Sequence, residues 1–176
     1  MAGRDRGFTL IELVLSITVM GFVAVTLGLL IYQATRSFAT LDAQKEIAQQ
    51  GTLAIERLSR ELRLIRCTES GNSCKPASTD ITEMTSSEIR FVNTNLEGRG
   101  FRLDGSSLRF RDGSGALDPE YVLSDKISSL TFEYLKDDST AAAATDEVWV
   151  INVNMVIASG AESFALKASV HPRSFR

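Results

Sequence analysis

From Phe8 to Ile31 almost every residue is apolar or small, and a single charge, Glu12, interrupts the run. At 1.5 Å per residue the segment predicts a helix of about 36 Å, enough to cross a bilayer with some tilt. The pattern then changes. From Leu41 a largely apolar or small stripe passes through Gln44, Ala48, Gly51, Ile55, Leu58, Leu62 and Ile65. Its steps alternate three and four, the period of one helix face. Glu56 with Arg60 and Arg57 with Glu61 are four apart, spaced to pair away from that stripe. The stripe predicts packing on the chain's own sheet; a coiled coil with a partner is the minor alternative, because Gln44, Ala48 and Gly51 make a poor seam. The part from Tyr32 to Gln50 is more polar and is available to neighbouring subunits.

After Cys74 the period falls from helical to alternating. Ile89 and Phe91 alternate with Glu88, Arg90 and Val92. Phe101 and Leu103, then Leu108 and Phe110, flank Asp104-Gly105-Ser106, a hairpin signal. Leu130, Phe132 and Tyr134 mark another strand. Trp149, Ile151, Val153, Met155 and Ile157 line one face of a longer one, with Val148, Val150 and Val156 partly burying its other face. Phe164, Leu166, Ala168 and Val170 supply the last. Antiparallel strands after one long helix predict an α+β layer arrangement. Residues 70–87, rich in Ser and Thr, and residues 137–146, with four consecutive alanines, read as flexible loops.

Composition bounds the function. With 176 residues, one domain plus a membrane segment is the expectation, and 44% hydrophobic residues suffice for an anchor and a modest core. The net charge is −3, and without Arg4, Asp5 and Arg6 it is −4. A slightly acidic chain does not suit nucleic-acid binding, which relies on basic surface. Cys67 and Cys74 stand seven positions apart. In an exported domain they read as a disulfide; free thiols are the alternative. No further Cys or His pair completes a four-ligand metal set.

An ordinary secretory signal places its apolar core before the cleavage site. Here the short leader Met1 to Gly7 carries Arg4 and Arg6 ahead of the apolar run, and Gly7-Phe8-Thr9-Leu10-Ile11-Glu12-Leu13 opens it. The arginines predict a cytoplasmic N-terminus. A carboxylate in a membrane segment is costly and is usually functional. This combination resembles the class III signal of type IV pilins and type II secretion pseudopilins; a plain, uncleaved single-pass anchor is the alternative. The resemblance implies a pilin-like fold, with a leader over residues 1–7 and a transmembrane or filament-core helix over 8–31. An amphipathic helix over 32–66 and a periplasmic β-rich domain over 67–176 would follow. It implies that a prepilin peptidase cuts between Gly7 and Phe8 and methylates the Phe8 amine, and that Glu12 serves subunit assembly. The nearest cation for Glu12 is the new amine of Phe8, in its own or a neighbouring subunit. The family's major subunits carry a helix-kinking Pro where this chain has Leu29, a departure that points to a minor subunit.

The stretch Ala54-Ile55-Glu56-Arg57-Leu58-Ser59-Arg60-Glu61-Leu62-Arg63 and the closing Val170-His171-Pro172-Arg173 narrow the resemblance. They resemble the W-type minor pilins and the J-type pseudopilins. That implies a single-pass protein of the bacterial inner membrane which moves to a filament tip. Its partners would be other minor subunits, the major subunit and the inner-membrane assembly platform. The expected role is a minor pilin that primes a type IV pilus for adhesion, motility or DNA uptake. The alternatives are a J-type subunit of a type II secretion system, or a monomeric membrane-anchored binding module.

No enzyme is expected. His171, the only histidine, has no Ser or Cys partner in sequence. Asp112, Asp118 and Glu120 around Gly113 and Gly115 lack the spacing of a calcium loop and read as a turn with solvated carboxylates. Asp137-Asp138 and Asp146-Glu147 read as loop charges. No cofactor and no metal are expected.

Overall fold

The computed structural model describes residues 9–70, 73–113, 118–159 and 162–175. The chain divides into two compact units, Met1–Ala43 and Gln44–Arg176. Helix α1, Leu10–Leu62, supplies the described part of the first unit and opens the second. In the first unit its apolar side chains are bare, from Leu10 and Ile11 through Phe22 to Ile31. The helix is long and apolar enough to cross a membrane. Its hydroxyls suit that medium. Ser16, Thr18, Thr26 and Thr35 each donate to a carbonyl one turn back, at 2.7–3.1 Å. Each is therefore satisfied inside the helix, with no call on water. Gly21 and Gly28 leave α1 unbroken.

The described residues of the second unit carry ten strands in chain order. They are β1 (Thr68–Ser70), β2 (Ser73–Lys75), β3 (Ile81–Met84), β4 (Glu88–Val92), β5 (Gly98–Asp104), β6 (Ser107–Asp112), β7 (Glu120–Ser124), β8 (Ile127–Leu135), β9 (Val150–Ser159) and β10 (Glu162–Val170). β3 to β7 form a five-stranded antiparallel meander, β8 to β10 a three-stranded one, and β1 pairs with β2. The α+β arrangement of one long helix with antiparallel sheets is as the sequence predicts. Asp104 faces Ser107 across the β5–β6 turn, and Gly105 takes φ +62° at its first central position. That left-handed backbone is why glycine stands there.

The buried helix face differs from the expected stripe at its upper end. Gln44 is exposed and Ala48 half-buried, and the buried face begins at Ile47. It continues through Gly51, Ala54, Ile55, Leu58, Leu62 and Ile65. Gly51 marks the close approach, because a Cβ there would overlap the Ile157 and Leu166 side chains of β9 and β10. Opposite lie Phe91, Phe101, Leu108, Ile151, Val153, Met155 and Ile157, all but closed to solvent. Phe101 and Phe110 face each other across β5 and β6 with ring centroids 5.3 Å apart.

The helix expected to reach residue 66 closes at Leu62. Ile65 bridges to Asn93, and the Arg66 N–H donates to the Val92 carbonyl at 2.8 Å, so strand pairing takes over there. The expected ion pair of Arg57 with Glu61 forms at 3.2 Å; none joins Glu56 to Arg60. Strands β1, β2, β3 and β7 have no counterpart in the sequence pattern: none exceeds five residues, and β7 leaves Tyr121 and Val122 exposed, so none shows a clean alternation. Trp149 and Val148 precede β9; Val148 is fully buried and Trp149 half-buried.

Candidate functional site

Gly7 and Phe8, the expected cleavage and methylation positions, lie outside the described residues. Glu12 lies in the first turn of α1. Its N–H and that of Leu13 donate to the Thr9 carbonyl at 3.1 and 3.2 Å, and its own carbonyl accepts from Ser16. The first turn of a helix favours a carboxylate electrostatically. Glu12 is exposed and has no ion-pair or hydrogen-bonding partner for its side chain among the described residues. From Leu13 to Thr35 no other charge occurs. A carboxylate in a membrane-spanning segment is costly to bury in lipid without a partner.

The cysteines are joined: Cys67 and Cys74 form a disulfide, with Cα atoms 5.7 Å apart. Beside it lies a residue that sequence reading passed over. Asp80 is fully buried, and its carboxylate accepts from Arg66 Nε at 2.6 Å, the Thr68 N–H at 2.8 Å, the Ala77 N–H at 2.9 Å and Thr68 Oγ1 at 3.1 Å. Burial pushes this carboxyl up, but the hydrogen bonds from Ala77, Arg66 and Thr68 outweigh it, so it stays below the ordinary range. The segment expected to be a flexible loop from 70 to 87 therefore holds two strands and a buried anchor. No local pattern marks Asp80, because its partners lie three, twelve and fourteen residues away.

Two of the carboxylates around Gly113, Glu120 and Asp112, are engaged by arginines. Glu120 accepts from Arg102 through Nε and Nη2, each at 2.9 Å, and from Arg111 Nη2 at 2.5 Å. Arg102 holds the Glu120 carboxyl at about 2 against the upward push of burial, and Arg111 adds to the effect. Asp112 is ion-paired with Arg99. The reading of solvated turn carboxylates thus fails at Glu120, which Arg102 and Arg111 enclose, while Asp112 stays exposed beside its arginine. Among the described residues no cluster of three or more His, Cys, Asp or Glu is placed to hold a metal ion.

The loop from Asp137 to Asp146 is likewise built. Asp138 Oδ1 accepts from the Thr140 N–H and hydroxyl, and Glu147 binds Lys136 and the Ala143 N–H. His171 stands edge-on to Trp149, with centroids 4.7 Å apart, and 6.5 Å from Phe175. It packs among aromatic rings in the C-terminal tail.

A family model described as the prokaryotic N-terminal methylation motif matches residues 3–28, which take in Gly7, Phe8 and Glu12. No curated protein matches the chain. The motif points to a structural subunit, and with the exposed apolar helix it fits a membrane-anchored protein.

Proposed function

We propose, from the premise that this chain is type IV pilin-like in its N-terminal motif and its α+β fold, that it is a minor pilin. The prepilin peptidase cuts between Gly7 and Phe8 and methylates the Phe8 amine. The protein waits in the inner membrane as a single-pass subunit with its N-terminus in the cytoplasm and the β-rich domain in the periplasm. It then joins other minor subunits in a tip complex that primes a type IV pilus and lowers the cost of extracting the first subunits from lipid.

The observation that carries this reading is Glu12, the one charge between Thr9 and Thr35, in an exposed apolar stretch and inside the matched motif. Pairing with the Phe8 amine of a neighbouring subunit neutralises both groups in lipid and sets the axial register between helices. The helix end Ala54–Arg63 and the ending Val170-His171-Pro172-Arg173 suit the J-type pseudopilin of a type II secretion system equally, so the experiment separates the two.

That experiment is a clean deletion scored for surface pili and for enzymes released into the medium. Lost piliation with normal secretion supports the minor pilin. Lost secretion with normal pili makes the chain the J-type pseudopilin. Mass measurement of the N-terminus accompanies it: a chain beginning at methylated Phe8 supports the reading, and one beginning at Met1 supports a monomeric anchored module.

A further inference from the structure

Ten arginines are described between residues 44 and 175, and seven of them have a carboxylate within 4.0 Å. The three that have none among the described residues are Arg60, Arg63 and Arg173, and all three line one cleft of about 620 Å³. Its floor is apolar, supplied by Ile55 and Leu64, and Glu56 is the single acid among its described lining residues.

Two parts of the chain build this cleft. Arg60 and Arg63 lie at the end of α1, where cations are favoured by the helix dipole. That effect accounts for two arginines at a helix end and leaves the third unexplained. Arg173 arrives from the C-terminal tail, 110 residues later in the chain than Arg63, and its N–H donates to the Arg63 carbonyl at 3.0 Å. The tail is pinned on both sides of it. Pro172 and Phe175 are buried, and the Ser174 hydroxyl donates to the Ile65 carbonyl. The Arg173 backbone is thus held beside the helix end, while the three guanidinium-bearing residues stay exposed.

We propose that this cleft binds an acidic peptide segment of a neighbouring protein subunit, two or more carboxylates engaging Arg60, Arg63 and Arg173. Guanidinium groups bind carboxylates through paired N–H donors, and the apolar floor accepts the aliphatic stems between them. This deepens the subunit reading by naming a contact of the globular domain, and it rests on that reading for the identity of the partner.

The test uses the full chain in detergent micelles and a fluorescein-labelled hexaglutamate peptide, read by anisotropy. We expect saturable binding that weakens as salt rises. Arg60→Gln, Arg63→Gln and Arg173→Gln should each weaken it about tenfold, an expected loss of one charge-assisted contact. Lys75→Gln, an exposed charge on β2, should leave it unchanged. All three arginine variants should melt as the parent does, because none of these side chains has a partner to lose. Absence of saturable binding overturns the proposal, as does equal loss on Lys75→Gln. Competition by inorganic phosphate or anionic vesicles as effective as unlabelled peptide also overturns it, in favour of a phosphate site. Loss of piliation on deletion does not read this cleft, so peptide binding and the subunit role fail separately.

Discussion

Arg102 grips Glu120 with two parallel hydrogen bonds of 2.9 Å, Nε to Oε1 and Nη2 to Oε2. Arg111 closes on the same carboxylate from β6. The edge strand β7 is tied by this fork to the two strands inside it, as well as by its backbone ladder.

The fork makes stability depend on pH in one direction. The Glu120 carboxyl titrates at about 2 in the fold and at its ordinary 4.5 when unfolded. A lowered folded pKa means stability fully present above about 4.5 and lost as pH falls toward about 2. Glu120→Gln should cost roughly 1–3 kcal/mol at neutral pH. Urea unfolding of both proteins across pH 7 to 2 checks this, and the gap between them should close at the acid end. A gap independent of pH would refute it.

Asp80 is expected to matter for the hairpin that carries the disulfide. Asp80→Asn keeps the shape but removes the charge that Arg66, Thr68 and Ala77 hold. The expected loss is about 1–3 kcal/mol above the ordinary carboxylate range, shrinking as acid protonates the parent. The double substitution Cys67→Ser with Cys74→Ser should cost about 2–3 kcal/mol through the loop-closure term. Thermal melts of the two variants at neutral pH give both numbers.

Gly51 separates two kinds of glycine in one helix. Gly51→Leu drives a side chain into Ile157 and Leu166 and should destabilise the second unit by roughly 1–3 kcal/mol. Gly21→Leu meets nothing within 4 Å and should leave the melt of that unit unchanged. Equal effects from the two would show that Gly51 is not the close-approach position.

Leu58 and Leu53 offer a similar contrast. Leu58→Ala empties a fully buried position and should cost about 2–5 kcal/mol. Leu53, 59% exposed on the same helix, should change stability by no more than about 0.5 kcal/mol as Ala. Chemical denaturation of the two variants decides it.

The assembly role proposed for Glu12 is open to a charge-only change. Glu12→Gln retains the size of the side chain and removes its need for a cation. Filament incorporation should fall at least tenfold while Phe8 is still methylated, measured by immunoblot of sheared filaments and by mass of the N-terminus. Normal incorporation would end the pairing hypothesis.

Much of this protein was legible from order alone. The bare apolar helix follows from an apolar run long enough to cross a bilayer, and Glu12 is conspicuous because it is the one charge in that run. The β5–β6 hairpin follows from Asp104-Gly105-Ser106, since a two-residue turn needs a left-handed backbone that glycine adopts freely. The strands β8 and β9 follow from a period of two, over Leu130 to Tyr134 in the first and Trp149 to Ile157 in the second.

Tertiary structure decided the rest, because periodicity shows that a helix has a face but not what covers it. Leu41 and Ile47 are equally apolar, yet only Ile47 is buried in the sheet-bearing unit. Asp80 and Glu120 look like loop acids in sequence and become anchors because arginines distant along the chain converge on them. Arg60, Arg63 and Arg173 differ from the other arginines only by what the fold withheld from them. A sequence sets which groups carry charge, and only packing sets which charges are met and which are left for another molecule.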